Sequence, residues 1–298
     1  MGSSAEDFSH QTLREEHLAM SRAFLERAAD LGYGDLGDHF WYHTIDLGDG
    51  LITPGTYDYR HNVADFHFPE SMNGMHVVDV GSATGFFAFE FERRGAEVVS
   101  VDLPSITSMD RFPGETLEQT IRKLEKMMPE HSLYTPTQRD DLFRTSALEK
   151  IHRTHLHGPF DFCHQRLRSH VKRCYSPIYE LSREKLGRDD FELAFIGDVL
   201  LHTINPLQAL AAVASVCGGT LIVAQVLPGI PESPPMMQYV GGEKPGDDEV
   251  SWWWPNQACF EQILRKLGFK DVGLAGYHTG QVRPGGNSFK RAVIHARR

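Results

Sequence analysis

One stretch constrains this chain more than any other. It consists of Val77-Val-Asp-Val-Gly-Ser-Ala-Thr-Gly85, then Phe86–Arg94, then Glu97-Val-Val-Ser-Val-Asp102. A short apolar run, a glycine turn, a helical segment and a second apolar run spell strand, turn, helix, strand. Parallel strands need a long crossover of this kind, whereas a tight hairpin would make them antiparallel. Such strands are buried on both faces, so the unit calls for a parallel sheet covered by helices. The alternation resumes downstream. Strands are expected at Val171–Tyr175, Phe191–Ile196, Gly219–Leu227, Val272–Tyr277 and Phe289–Ala296. Helices are expected at Phe160–Leu167, Pro206–Val216 and Asn256–Leu267, the last stopped by Gly268.

Before this unit the texture differs. In Ala5–Asp38 the residues Leu13, Leu18, Phe24, Leu25 and Ala28 recur at helical steps among charges, and Gly32, Gly34 and Gly37 close the run. Trp41–Pro69 is rich in aromatic residues, His, Gly and Pro, with Asp49-Gly50 as a hairpin turn. The chain therefore divides into an N-terminal helical and aromatic lid segment, residues 1–70, and a main domain, residues 71–298. The main domain is interrupted by an insertion at 104–158, where Leu117, Ile121, Leu124 and Met127 lie at helical spacing and predict a surface helix or cap. Pro228–Ser251 is long and rich in Gly and Pro, which suits a second lid.

Composition removes several classes of function. The 298 residues carry 30 Lys+Arg against 40 Asp+Glu, a formal charge of −10, which argues against a polyanion as main partner and leaves a small molecule as the default. The longest apolar run, near Leu221–Leu227, is far short of the ~20 residues of a membrane span. Met1–Gln11 lacks a basic stretch leading into an apolar one, so a soluble cytoplasmic protein without an export signal is expected. Cys163, Cys174, Cys217 and Cys259 are widely spaced without a CxxC, which predicts free thiols.

The glycine turn has its own chemistry. A dinucleotide fingerprint would need glycine where Ala83 and Phe86 stand, and no Lys-Ser/Thr follows, so a phosphate loop is excluded too. What remains is a turn that lets backbone approach a ligand, plus Asp102 at the end of the second strand, where a carboxylate accepts hydrogen bonds from both hydroxyls of a ribose. Together these describe a nucleoside site without a pyrophosphate.

At these residues the chain resembles the S-adenosylmethionine-dependent class I, Rossmann-like methyltransferases. The resemblance covers Gly74–Arg298 and rests on Asp79-Val-Gly-Ser-Ala-Thr-Gly85, on Val98-Val-Ser-Val-Asp102, and on Ile196-Gly-Asp-Val-Leu-Leu-His202 followed by Asn205-Pro-Leu-Gln-Ala-Leu210. With Trp253-Trp-Pro-Asn256 leading into Phe260–Gly268, the pattern is most similar to the branch of tRNA wobble-uridine carboxymethyl-transfer enzymes. The resemblance implies a seven-stranded, mostly parallel α/β sheet with an antiparallel last strand, and S-adenosyl-L-methionine as cofactor with S-adenosyl-L-homocysteine as product. It places Asp79, Gly81, Ser82, Ala83 and Gly85 along the methionine moiety and Asp102 at the ribose, with Leu103 as a further cofactor contact. Ile178 and Tyr179, within Tyr175-Ser-Pro-Ile-Tyr-Glu180, would flank adenine, and Gly197-Asp198 would close the pocket. One departure separates the chain from the carboxymethyl branch. Asp65–Gly74 holds no Lys or Arg, and Leu201 replaces the tyrosine before the histidine, so nothing there would pair with an extra carboxylate. Ordinary methyl transfer to an oxygen or nitrogen of a small molecule is the expectation, with a wobble-uridine enzyme and a non-catalytic cofactor-binding module as rivals.

Methyl transfer asks a protein mainly to orient a nucleophile and exclude water, and a hydroxyl acceptor adds the need for a base. His202 is the first candidate base, Asp198 a partner or orienter, and His43 the second candidate. Trp41, Tyr42, Tyr57, Arg60 and Trp253 are the candidate substrate contacts, because rings suit a sulfonium or a flat acceptor and Arg60 suits an anion. Arg283 and Lys290 are expected to be solvated instead. The histidines His152, His155, His157 and His164 with Cys163 form no tight zinc-ligand spacing, so no metal is expected.

Overall fold

The structure is a computed structural model that describes residues 3–127, 143–144, 147–229 and 234–298, without the side chains of 3–10 and 127. The strands β1 His76–Val80, β2 Glu97–Asp102, β3 Lys172–Tyr175, β4 Phe191–Gly197 and β5 Cys217–Gln225 pair in parallel. After a small ribbon, β6 Met237–Tyr239 with β7 Trp253–Pro255, come β8 Asp271–Val282 and β9 Asn287–Arg297. The main sheet has seven strands in the order β3-β2-β1-β4-β5-β9-β8, and β9 runs antiparallel to both of its neighbours. This is the expected Rossmann-like sheet.

The helices are α1 Ser3–Asp30, α2 Phe86–Arg93, α3 Leu117–Met127, α4 Leu148–His152, α5 Gly158–Leu167, α6 Arg183–Leu186, α7 Pro206–Val216 and α8 Gln257–Lys266. Asn205 and Asn256 cap α7 and α8 by accepting from Gln208 N at 3.1 Å and Cys259 N at 2.9 Å.

Burial on both faces of β1 explains the two cores. Val77, Val78, Val80 and Asp79 are all 2% exposed or less. Val78 and Val80 pack with Ile196, Leu210, Val213, Phe260 and Leu264 under α7 and α8. Val77 faces the other way, into an aromatic cluster in which Phe195 meets Phe87 at 4.6 Å, Phe68 at 5.3 Å and Phe66 at 5.9 Å between centroids. Phe24, Trp41, Leu47 and Tyr59 belong to that same cluster, so residues 1–70 share a core with the sheet.

Four differences from expectation have local causes. Helix α1 stops at Asp30, not Asp38, because the first glycine suffices. Gly32 takes φ +82°, and its amide and that of Tyr33 reach back to Ala29 O and Ala28 O at 2.9 and 3.0 Å. The helix expected from Phe160 starts earlier, since α4 runs through a π-helical turn, Arg153–His157, straight into α5. The stretch read as the loop Pro228–Ser251 contains β6, which pairs Tyr239 with Trp253 of β7. Finally, β8 and β9 extend five and one residues beyond their expected ends, to Val282 and Arg297. All four cysteines are free. Among the described residues no helix is long and apolar enough to cross a membrane.

Phe195→Ala removes the ring at the centre of the aromatic core and is expected to lower unfolding stability by about 3–5 kcal/mol. A urea titration followed by far-UV circular dichroism reads this as a lower midpoint with unchanged slope.

Candidate functional site

The strand order reverses beside β1, which has β2 on one side and β4 on the other. At such a switch point the connections leave in opposite directions and open a crevice beyond the carboxyl ends of the strands. The glycine turn leaves β1 there, Asp102 ends β2, and Gly197-Asp198 leave β4.

The turn is built by close approach. Gly81 adopts φ +77°, and the amides of Gly81 and Ser82 both bond Val101 O, at 2.9 and 3.2 Å. A Cβ on Gly81 would lie 2.3 Å from Val199 Cγ2, so the glycine brings the turn against the β4 loop. The close approach expected there toward a ligand is thus made toward Val199. Gly85, at φ +93°, caps α2, where a Cβ would meet Phe89 Cε2 at 2.6 Å and Phe160 Cδ2 at 2.9 Å. Ala83 is a non-glycine residue in the left-handed region, φ +47°, which aims its amide at Asp102 Oδ2, 2.7 Å away.

Asp102 is therefore already gripped. Oδ1 accepts from Leu103 N at 2.8 Å, and Oδ2 also meets Arg173 Nη2 at 3.2 Å. Sequence reasoning missed Arg173, although a cation in a short strand of a parallel sheet signals a buried charge in need of a partner. Its guanidinium donates to Ser82 Oγ, Ser100 Oγ and Ala83 O, and it stacks 4.1 Å from the Phe160 ring. Asp79, one strand over, is 1% exposed, and its Oδ2 has no partner. Burial pushes its carboxyl up to about 8.

The β4 side gathers the reactive groups. Asp198 is held at φ +48° by its amide bond to Ala224 O at 2.8 Å. Its Oδ2 accepts from Arg291 Nε at 2.7 Å, while Oδ1 is buried without a partner. Burial raises the Asp198 pKa against the pull of Arg291. Arg291 was also missed. Its place follows from register, since Ala292 pairs with Gln225, the last residue of β5, and Arg291 falls just beyond that strand's carboxyl end. Tyr42 and Tyr57 lie here, rings 4.8 Å apart, with Tyr59 stacked 6.0 Å from Tyr57. Burial, with Asp198 adding to it, raises the pKa of all three phenols.

His202 sits in the 3₁₀ turn Leu200–His202, and its Nδ1 is 2.5 Å from Val250 O. A carbonyl only accepts, so Nδ1 carries the hydrogen and Nε2 the lone pair. Burial lowers its pKa, opposed by the Val250 contact and by Asp198.

Other candidates go elsewhere. His43 is 4% exposed among aromatic rings, its backbone amide and Nδ1 both 3.1 Å from Thr84 Oγ1, and burial pushes its pKa down to about 3. That corrects its expected role as a base: it fastens the N-terminal segment to the glycine turn. Trp41, expected to touch substrate, is 6% exposed and packs 4.9 Å from Phe24 and 5.7 Å from Phe162, which places it in the core. Arg60 is committed to Asp58 through bonds of 2.9 and 2.8 Å, and Arg283 reaches the same carboxylate at 3.3 Å. Trp253 donates Nε1 to Ile204 O at 3.1 Å and holds the β6–β7 ribbon. Tyr179 gives its hydroxyl to Asp110, and Ile178 packs against the α7 side of the core. The insertion histidines are spent on the chain itself: His152 Nε2 meets Leu103 O at 2.9 Å, His155 Nδ1 meets Ile151 O at 3.0 Å, His164 Nε2 meets Val171 O at 3.0 Å, and His157 bonds the Tyr175 hydroxyl.

No family model matches the chain, and no curated protein matches it in sequence. Among solved structures the chain is similar to several at low identity. The N-terminal domain of EvdMO1, crystallised with S-adenosylhomocysteine and D-fucose, is 14% identical with TM-score 0.47, over 93% of this chain and 96% of that one. Magnesium protoporphyrin IX methyltransferase of Synechocystis PCC 6803 with S-adenosylmethionine is 13% identical, TM-score 0.42, over 76% and 71%. The 1,6-didemethyltoxoflavin-N1-methyltransferase of Burkholderia thailandensis is 15% identical, TM-score 0.41, over 76% and 72%. The narrower resemblance, to the wobble-uridine branch, is not supported by these matches.

Asp79 yields a pH signature. Its folded pKa, about 8, lies above the ordinary 3.8, so the unfolded chain binds fewer protons between those values and this group makes stability fall as pH rises through them. Asp79→Asn is expected to flatten that fall, gaining on the parent at pH 8 relative to pH 5 in urea titrations.

Proposed function

We propose that this chain is a methyltransferase that uses S-adenosyl-L-methionine to methylate an oxygen or nitrogen of a small molecule, oxygen being favoured by His202. The observation that carries the reading is the meeting, at one switch-point crevice, of the glycine turn and Asp102 on the β1–β2 side with Asp198, Arg291 and His202 on the β4 side. The residues suit the cofactor. The unpartnered Asp79 Oδ2 is an acceptor for an ammonium, and Asp102 Oδ1, with one bond from Leu103, has a lone pair left for a ribose hydroxyl. Leu103, Ile178 and Tyr179 are the further residues assigned to the cofactor in this reading.

When bound, the cofactor supplies an electrophilic methyl group on a sulfonium. The protein's part is orientation, exclusion of water and proton acceptance. Tyr42 and Tyr57 wall the acceptor side, and Asp198 with Arg291 orients the acceptor through the unpartnered Oδ1. His202 takes the acceptor's proton on Nε2, because Nδ1 is committed to Val250. Residues 1–70 cover the crevice as a lid segment over domain 71–298, clamped to the turn by the His43–Thr84 bonds. The segment Asp65–Gly74 offers no cation for a carboxymethyl group, and the chain's charge of −10 offers little to a nucleic acid.

Calorimetric titration with S-adenosylhomocysteine, followed by a metabolite screen for products 14 mass units heavier (about one CH₂), tests the reading; no binding in the calorimeter overturns it. Asp102→Ala is expected to weaken that binding about 10- to 100-fold, the worth of a lost hydrogen bond to a charged group. His202→Ala is expected to slow turnover by about 10²–10⁴-fold with cofactor affinity unchanged, and full activity would remove its role as base.

A further inference from the structure

Lys123 stands out among the charged residues because its side chain is 2% exposed yet lies on a surface insertion. Its ammonium bonds Glu115 Oε1 and, 2.7 Å away, Asp248 Oδ1, with those side chains 1% and 5% exposed. Neither carboxylate is spent on the lysine alone. Glu115 Oε1 accepts from Gly246 N at 2.9 Å, and Asp248 Oδ1 accepts from Val250 N at 2.8 Å. Val250 is thereby fixed at φ +57°, a conformation a β-branched residue adopts only where its surroundings enforce it. In that conformation its carbonyl meets His202 Nδ1 at 2.5 Å. Two residues on, Trp252 N bonds Leu201 O at 2.9 Å, so the same strap grips the His202 turn from both ends.

We propose that Lys123 is a positioning residue for His202, acting through Asp248 and the Val250 carbonyl to select the imidazole tautomer whose Nε2 is free to take a proton. The inference rests on His202 as the proton acceptor of the proposed reaction. Its physical logic is electrostatic. Without the ammonium, two carboxylates face each other in a dry site, and opening the 246–250 strap is the cheapest way to rehydrate them. The strap's release costs His202 the Val250 carbonyl that accepts from Nδ1, and with it the selection of one tautomer. The insertion is thus part of the site's wiring rather than a decoration on its surface.

The test needs no acceptor substrate. Long-range ¹H–¹⁵N spectra of ¹⁵N-labelled full-length protein report which imidazole nitrogen carries hydrogen, with the His202 signals assigned by their loss in His202→Ala. The parent is expected to show His202 as the Nδ1–H form. Lys123→Met is expected to shift the tautomer ratio by about tenfold toward Nε2–H, the worth of one hydrogen bond. Lys123→Arg is expected to restore the parent pattern, and Arg122→Ala, on the exposed face of the same helix, to leave it unchanged. A folded Lys123→Met with the parent pattern overturns the proposal. If that variant does not fold, Asp248→Ala is read by the same criterion. A shifted tautomer together with an active His202→Ala would keep the positioning and remove the catalytic reading, so the two failures are distinguishable.

Discussion

The contact between Gly81 and Val199 is where the two halves of the sheet close on each other. β1 and β4 are neighbours, yet the segments leaving them head to opposite faces, and only a residue without Cβ lets the first turn come within reach of the second. The positions of Asp102, Asp198 and His202 all follow from that approach. Asp102 is aimed by the Ala83 amide two residues past the glycine, and Asp198 directly precedes Val199 while His202 follows it three residues later. A wider turn would separate the β1–β2 side of the crevice from the β4 side by the thickness of a side chain.

Around this contact the protein spends buried charge freely and always in networks. Arg173 joins Asp102 to two serines and an aromatic ring, Arg291 holds Asp198, and Lys123 joins two carboxylates. Removing one member of such a set leaves its partner uncompensated, which is far costlier than never having had the pair. Each set therefore fixes geometry: the first that of the glycine turn, the second that of the strand end, the third that of the strap over His202. Asp79 is the exception, a carboxyl in the core of β1 with one oxygen unpartnered, and burial keeps it protonated near neutrality.

The N-terminal segment and the insertion play unequal parts. The first brings Tyr42, Tyr57 and Tyr59 together near Asp198 and shares the aromatic core with Phe195. The insertion touches the end of β2 through His152 at Leu103 O and the segment after β4 through Lys123 and through Asp110, which bonds Ile204 N at 2.7 Å and Tyr179. It thereby bridges the two sides of the crevice.

Local pattern sufficed for single elements. Apolar runs bounded by glycine, and helices begun by Asn and ended by Gly, depend on neighbours a few residues away, so β1, α2, β2 and α7 were legible without coordinates, while the seven-strand architecture with its antiparallel last strand came from the family resemblance. The glycine turn, Asp102 and Asp198 stand at strand ends that the pattern itself locates, and His202 follows in the turn after β4. What the tertiary structure alone decided were the long-range pairings. Arg291 meets Asp198 through the register of an antiparallel strand 93 residues later, and Lys123 meets Asp248 across 125 residues. His43 and Trp41 went the other way, looking reactive in sequence and turning out buried and packed, because burial is a property of the assembled core that no single segment encodes.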